Sequence, residues 1–227
     1  MRIYVQLKNV LDPLLALLAL VLLSPLLALI AIGVSVDSPG KPIFRQLRVG
    51  KHGRRFMIYK FRTMYQNNDD SNLKLFLKKY VEEGITSRFD ENGHDKYQLV
   101  CDPRVTRFGS LLRKTNLDEI LQLLNVLKGE MSLIGPRPEI PFTAEMYKPH
   151  HKKRLLAKPG MTGLYQVSGR RGLSFDDQVG LDVEYINKQS PLMDAKILLL
   201  TVREVFTTYR RYKPSSNPNR DRVVPVP

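Results

Sequence analysis

Of the 227 residues only one is a cysteine, Cys101. No disulfide can form within the chain, and a cysteine-based zinc site would need several more sulfurs. No Asn-x-Ser/Thr sequon occurs, so one mark of a secreted surface is missing. These absences point to a reducing, cytosol-facing location. Neither Gly-x-x-x-x-Gly-Lys-Ser/Thr nor Gly-x-Gly-x-x-Gly is present, which excludes two common cradles for nucleotide phosphates. His150 and His151 are neighbours rather than one helical turn apart. That makes a poor zinc pair and reads as surface.

Acidic residues are in deficit. There are 36 Lys and Arg against 22 Asp and Glu, a formal charge of +14. A chain of this balance is drawn to something anionic: nucleic acid, acidic headgroups or a phosphorylated substrate. Hydrophobic residues make up 43% and charged residues 26%. That excludes both a disordered chain and a polytopic membrane protein, and the length allows one domain with a real core.

Polar residues are nearly missing from Pro13 to Ile32, where Ser24 is the one interruption. Twenty helical residues span roughly 30 Å, the thickness of a hydrocarbon core. The run exceeds a normal signal h-region, and no clear small-residue cleavage site follows it. Pro25 removes a backbone donor at mid-run, and Ser24 can serve the freed carbonyl. Both flanks are basic: Arg2 and Lys8 before the run; Lys41, Arg45, Arg48, Lys51, Arg54 and Arg55 after it. Basic flanks prefer the cytoplasm. A helical hairpin broken at Ser24-Pro25 keeps both there, and is preferred to a single kinked span.

Beyond the run, residues 43–62 predict a β-hairpin turning at Gly50-Lys51-His52-Gly53. A helix is expected at Leu73–Glu83 and a loop over 84–103. The clearest helix is expected from Leu117 to Lys128, with Leu117, Ile120, Leu121, Leu124 and Leu127 at helical spacing. Thr115 or Asn116 would cap its start and Gly129 its exit. Further helices are expected at about 142–156 and 193–211, then a Pro-rich tail. The class is α+β and mostly helical.

Asp118-Glu119 opens the clearest helix. Acids there complement the helix dipole, and Asn116-x-x-Glu119 resembles a capping box, which would make the pair structural. Their company argues otherwise. Arg107, Arg113 and Lys114 lie upstream, and Arg137 sits in a stiff turn between two prolines. Carboxylates among arginines describe a phosphate site with a metal, one acid serving as nucleophile and the other as ligand. The run Tyr59-Lys60-Phe61-Arg62-Thr63 reads either as a contact for nucleic acid or headgroups, or as a solvated strand face.

These blocks resemble the bacterial sugar transferase family, the monotopic polyprenyl-phosphate phosphoglycosyl transferases. The likeness rests on Lys41-Pro42-Ile43-Phe44-Arg45-Gln46, Tyr59 to Met64, Asp102 to Gly109, Leu112 to Glu119, Leu124 to Ser132, Gly135-Pro136-Arg137-Pro138-Glu139 and Lys158 to Arg170. It implies transfer of a sugar-1-phosphate from a UDP-sugar to polyprenyl (undecaprenyl) phosphate, with release of UMP, as the first membrane step of exopolysaccharide assembly. By resemblance Asp118 is the nucleophile, forming an aspartyl-phosphosugar intermediate, and Glu119, with Asp118, binds Mg²⁺. Arg113 and Arg137 would bind phosphate, joined by Lys60 and Arg62. Ser24-Pro25 matches the family's helix break.

The implied division is a re-entrant membrane helix at 1–36, a cytosolic catalytic domain at 37–211 and a tail at 212–227. The location would be the bacterial inner membrane. Implied partners are UDP-sugar, polyprenyl phosphate and membrane lipids, with room for a homodimer and no role for nucleic acid. The chain departs from many members in having Ile120-Leu121 where Leu-Pro is common, and Ser168 where Asn is common. It is short enough to be the catalytic unit alone. Gly163 to Arg170 resembles members that handle glucose or galactose. A membrane-tethered basic module that binds anionic partners without catalysis is the alternative.

Overall fold

The computed structural model describes residues 2–65, 77–78, 80–82, 104–168 and 173–211. Helix α1 runs from Arg2 to Asp37, 36 residues, about 54 Å end to end. It begins eleven residues before the apolar run and includes Pro13 and Pro25. The expected separation into two limbs at Ser24-Pro25 is not seen. Pro25 cannot donate to the carbonyl of Val21, and Ser24 Oγ donates to that oxygen instead, at 2.8 Å.

One stripe of α1 is buried in the protein. Ala16, Ala19, Leu20 and Leu23 pack with Phe56, Ile58, Leu123, Val126 and Met131. Leu27, Ile30 and Val34 pack with Phe61, Leu112 and Leu121. The opposite face is bare and apolar, with Leu14, Leu18, Val21, Leu22, Leu29 and Ile32 exposed. In water such a face would be unstable, since each buried methylene gains about 0.8 kcal/mol.

Polar clasps hold both ends of α1. Near its start, buried Lys8 pairs with Asp194, and Tyr4 donates to the same carboxylate at 2.6 Å. Asp12 accepts from Ser132 Oγ and from the Leu133 amide. At its end, Asp37 accepts the Phe108 amide at 3.1 Å. Arg62 donates to the carbonyls of Ser38 and Pro39, at 2.6 and 2.8 Å.

The hairpin forms as expected. Strand β1 (Ile43–Val49) pairs antiparallel with β2 (Arg55–Phe61), register Ile43 to Phe61. His52 adopts φ 56° and Gly53 φ 77° at the turn. Helix α2 (Arg107–Thr115) is capped by Thr106, whose Oγ1 accepts the Gly109 amide. Gly109 is required there, because a Cβ would stand 2.3 Å from the Thr63 carbonyl.

The long helix expected from Leu117 is instead a 3₁₀ segment, Leu117–Gln122, leading into α3, Leu123–Leu127. Asn116 does not cap it. With φ 56° it ends α2 in the left-handed conformation, and its side chain makes no cap bond. Gly129, at φ 73°, takes the left-handed turn after α3.

A second, parallel strand pair was not foreseen. Strand β3 (Ser132–Ile134) lies beside β4 (Gly160–Thr162). Gly160 permits it, since a Cβ would stand 2.0 Å from the Gly135 nitrogen. The helix expected over 142–156 is divided into α4 (Pro141–Glu145) and a 3₁₀ segment, His151–Leu156. Pro149 lies between them and disfavours helix in the residue before it. Short α5 (Leu164–Val167) precedes α6 (Phe175–Lys188), which Ser174 and Asp177 start with a capping box. Helix α7 spans Pro191–Arg211, close to expectation. Residues 77–78 and 80–82 are helical; the rest of the 73–83 helix, the 84–103 loop and the tail lie outside the described residues.

Candidate active site

The acidic pair lies where β2, the 3₁₀ segment and the Pro136–Pro138 turn meet. Glu119 Oε1 accepts from two cations, Lys60 Nζ at 2.7 Å and Arg137 Nη2 at 3.1 Å. Its other oxygen has no partner among the described residues. Burial would raise the Glu119 pKa, but Arg137 and Lys60 hold it well below the usual carboxylate range. The capping-box reading therefore fails: the Glu119 side chain reaches the two cations, and only its amide meets the Asn116 carbonyl.

Asp118 has no ion pair among the described residues. Burial, with the Glu119 charge beside it, pushes its pKa up to about 6. Two adjacent carboxylates thus titrate far apart, a pattern typical of reactive sites.

Asn125 sets the two walls in register. It is fully buried, and its Nδ2 donates to the Met57 carbonyl at 2.7 Å and to Glu130 Oε2 at 2.8 Å. Its Oδ1 accepts the Tyr59 amide at 3.2 Å. The side chain continues the edge of β2 and so presents Lys60 to Glu119.

The other expected residues divide. Arg113, at the end of α2, donates from Nε to Thr63 Oγ1 at 2.8 Å, and the residue is exposed. Arg62 is elsewhere: it is 8% exposed, and its guanidinium binds the carbonyl end of α1. Its hydrogen bonds run to Val34, Ser38 and Pro39 rather than to Glu119. Lys60 and Arg62 are also not a solvated strand face.

Sequence reading missed Arg48 and Arg154 as parts of this region. Arg48 donates to the Pro138 carbonyl at 3.2 Å and to Gln46 Oε1. Burial, with Arg137 nearby, lowers its pKa to about 10. Arg154 is almost completely buried. Its Nη2 lies 2.6 Å from Asp182 Oδ2 on α6, and Nη1 lies 3.3 Å from Glu139 Oε1. The Glu139 carbonyl accepts the Val49 amide at 2.8 Å. The turn that carries Arg137 is thus braced from β1 and from the 3₁₀ segment at His151–Leu156.

The two histidines correct the surface reading in part. His150 is exposed but His151 is fully buried, and both Nε2 atoms meet Asp176 Oδ1, at 2.8 and 2.7 Å. The three groups lie close enough to hold a metal ion. However, His151 Nδ1 accepts the Lys148 amide at 3.1 Å. Its proton therefore sits on Nε2, which is a donor to Asp176 rather than a metal ligand.

The bacterial sugar transferase family model matches residues 3–208. The chain belongs to that family. It is 40% identical to the exopolysaccharide production protein ExoY of Sinorhizobium fredii, over 87% of this chain and 84% of that protein. It is 38% identical to the UDP-glucose:undecaprenyl-phosphate glucose-1-phosphate transferase of Caulobacter vibrioides, over 90% of this chain and 72% of that protein. It is 39% identical to the undecaprenyl-phosphate galactose phosphotransferase of Salmonella typhimurium, where it spans 40% of the relative. All of the site residues described above fall inside the matched region.

Proposed function

We propose that this sugar transferase moves a sugar-1-phosphate from a UDP-sugar to polyprenyl phosphate, releasing UMP. The observation that carries this reading is the split acidic pair. Glu119 is held ionised between Lys60 and Arg137, and Asp118 beside it makes no ion pair among the described residues, with Lys60 and Arg113 near it. An Asp118 oxygen forms a bond to the β-phosphorus while the bond from that phosphorus to the bridging oxygen breaks. UMP leaves with that oxygen and its electron pair. A polyprenyl phosphate oxygen then attacks the same phosphorus, and the Asp118 carboxylate is restored.

Lys60, Arg137 and Arg113 would meet the phosphate charges, which otherwise repel a carboxylate nucleophile. The free oxygen of Glu119 and the Asp118 carboxylate form an all-oxygen donor pair. That suits Mg²⁺, which takes one or two carboxylates along with substrate phosphates. When bound, the ion would supply further charge neutralisation at the diphosphate.

The clasps on α1 support a monotopic seat in the cytoplasmic face of the inner membrane. A spanning helix carries one end roughly 30 Å across the hydrocarbon. Here Lys8 and Asp12 at one end, and Asp37 at the other, bond to the same catalytic body. The bare apolar face of α1 then meets lipid on one side of the bilayer, and the acceptor reaches the site from there.

The test uses UDP-sugar labelled in the β-phosphate, with Mg²⁺ and protein in detergent. Wild type without acceptor is expected to retain the label, and to pass it to polyprenyl phosphate when that is added. Asp118→Asn is expected to do neither. Transfer by Asp118→Asn at the wild-type rate would overturn the covalent scheme. An N-terminal tag reached by reagents outside intact cells would overturn the monotopic seat.

A further inference from the structure

The site is sorted by charge. The cations Lys60 and Arg137 hold one oxygen of Glu119. An open cleft of about 60 Å³, also bordered by Glu119, lies between Asn116, α5 and α7. Its polar wall consists of Asn116, Glu119, Thr162, Gln166, Thr201 and Glu204; no cation and no aromatic ring lines it among the described residues. Two of these groups are uncommitted. The Asn116 side-chain amide and the Glu204 carboxylate make no hydrogen bond or ion pair among the described residues. Thr201 is already engaged, since its hydroxyl meets Thr162 and the Ile197 carbonyl.

Each part of the substrates asks for different chemistry. A diphosphate needs cations, and the Glu204 carboxylate would repel it. A uracil ring is held best by stacking on an aromatic side chain, and none lines the cleft among the described residues. An isoprenoid chain would leave the amides and the carboxylate dry and unpaired. A hexose offers a ring of hydroxyls, each both donor and acceptor. A carboxylate that accepts and an amide that does both are their natural partners. Helix α5 supplies Gln166 and Val167 to this cleft.

We infer that the cleft between Asn116 and α7 seats the hexose of the donor, and that Glu204 reads its hydroxyl configuration. This assignment rests on the transferase reading above. It makes Glu204 a specificity-determining residue that touches no phosphate.

The experiment compares full-length wild type, Glu204→Gln and Glu204→Ala in detergent. It measures binding of UDP, UDP-glucose and UDP-galactose by calorimetry, and KM for both sugars and for polyprenyl phosphate. Glu204→Ala is expected to raise the KM of the preferred UDP-hexose about tenfold, the loss of one good hydrogen bond. The preference between the two epimers should change about fivefold or more. Glu204→Gln should fall between. Affinity for UDP, which lacks the sugar, should stay within about twofold, and this also reports that the variants are folded. Unchanged hexose KM and preference in both variants would overturn the assignment. So would a parallel fall in UDP affinity, which would place the nucleotide there, or a change in acceptor KM alone, which would place the lipid there. If wild type binds UDP but no UDP-hexose, the transferase reading itself falls and takes this assignment with it.

Discussion

Lys60 Nζ lies 2.7 Å from Glu119 Oε1, a bond that joins β2 to the 3₁₀ segment across 59 residues. Arg137 shares the same oxygen. Burial lowers the Lys60 pKa, and the Glu119 charge opposes that fall. The lysine is therefore a compact cation beside the acidic pair, and in the proposed scheme it meets a phosphate of the donor.

Replacing it tests that placement. Lys60→Met should reduce kcat for UMP release about 100-fold, the usual effect of removing one preorganised charge partner. Arg137 would still hold Glu119, so the fold should survive. Lys60→Arg should recover only part of the rate, because a planar fork does not fit the space of an ammonium. Steady-state kinetics at saturating UDP-sugar check this, and wild-type speed in Lys60→Met would separate Lys60 from the chemistry.

Asp118 makes activity and stability move in opposite directions with pH. Only the carboxylate can attack, so UMP release should rise as pH passes through about 6. The folded-state pKa lies above the ordinary value of 3.8. The folded protein therefore holds the proton more tightly, and Asp118 withdraws stability as pH climbs from about 4 to 6. Asp118→Asn should stabilise the protein at pH 7.5, by about 1–2 kcal/mol for a half-buried group, and by nothing at pH 3.5. Urea titrations of both proteins at the two pH values measure the difference. Equal stability at pH 7.5 would show an unperturbed carboxylate.

Arg154 should be costly to remove. Arg154→Met leaves Asp182 buried without its cation and frees Glu139. A loss of about 3–5 kcal/mol is expected in urea unfolding. Asp182→Asn should cost less, since burial already pushes that carboxyl up to about 6. Because Glu139 lies two residues from Arg137, the milder Glu139→Gln should raise the KM for UDP-sugar with little change in urea midpoint. A fall in midpoint with unchanged KM would make the brace purely structural.

The hairpin was readable because its β-formers flank an obvious turn. The acidic pair was readable from its basic neighbours. Other features were hidden for physical reasons. Ala16, Leu20, Leu23, Leu27, Ile30 and Val34 form a helical stripe, but every residue around them is apolar too, so no period stands out. Helix α6 carried the signal Ser174-x-x-Asp177 and could have been found from it. Arg62 has the same charge as Lys60 two residues earlier, and only the fold shows that one meets Glu119 and the other the end of α1. The 3₁₀ segment at Leu117 has leucines at α-helical spacing. Its geometry follows instead from the left-handed Asn116.

The stripe on α1 has a consequence for anyone who wishes to work with this protein in water. Ala16, Ile30 and Val34 are interior residues of the catalytic body, packed on Phe56, Phe61 and Leu121. Cutting the chain after Asp37 to shed the greasy segment would not trim an appendage. It would open the middle of the molecule, and with it the backing of the strand that presents Lys60. Helix α1 is thus as necessary to the shape of this enzyme as the strands it backs.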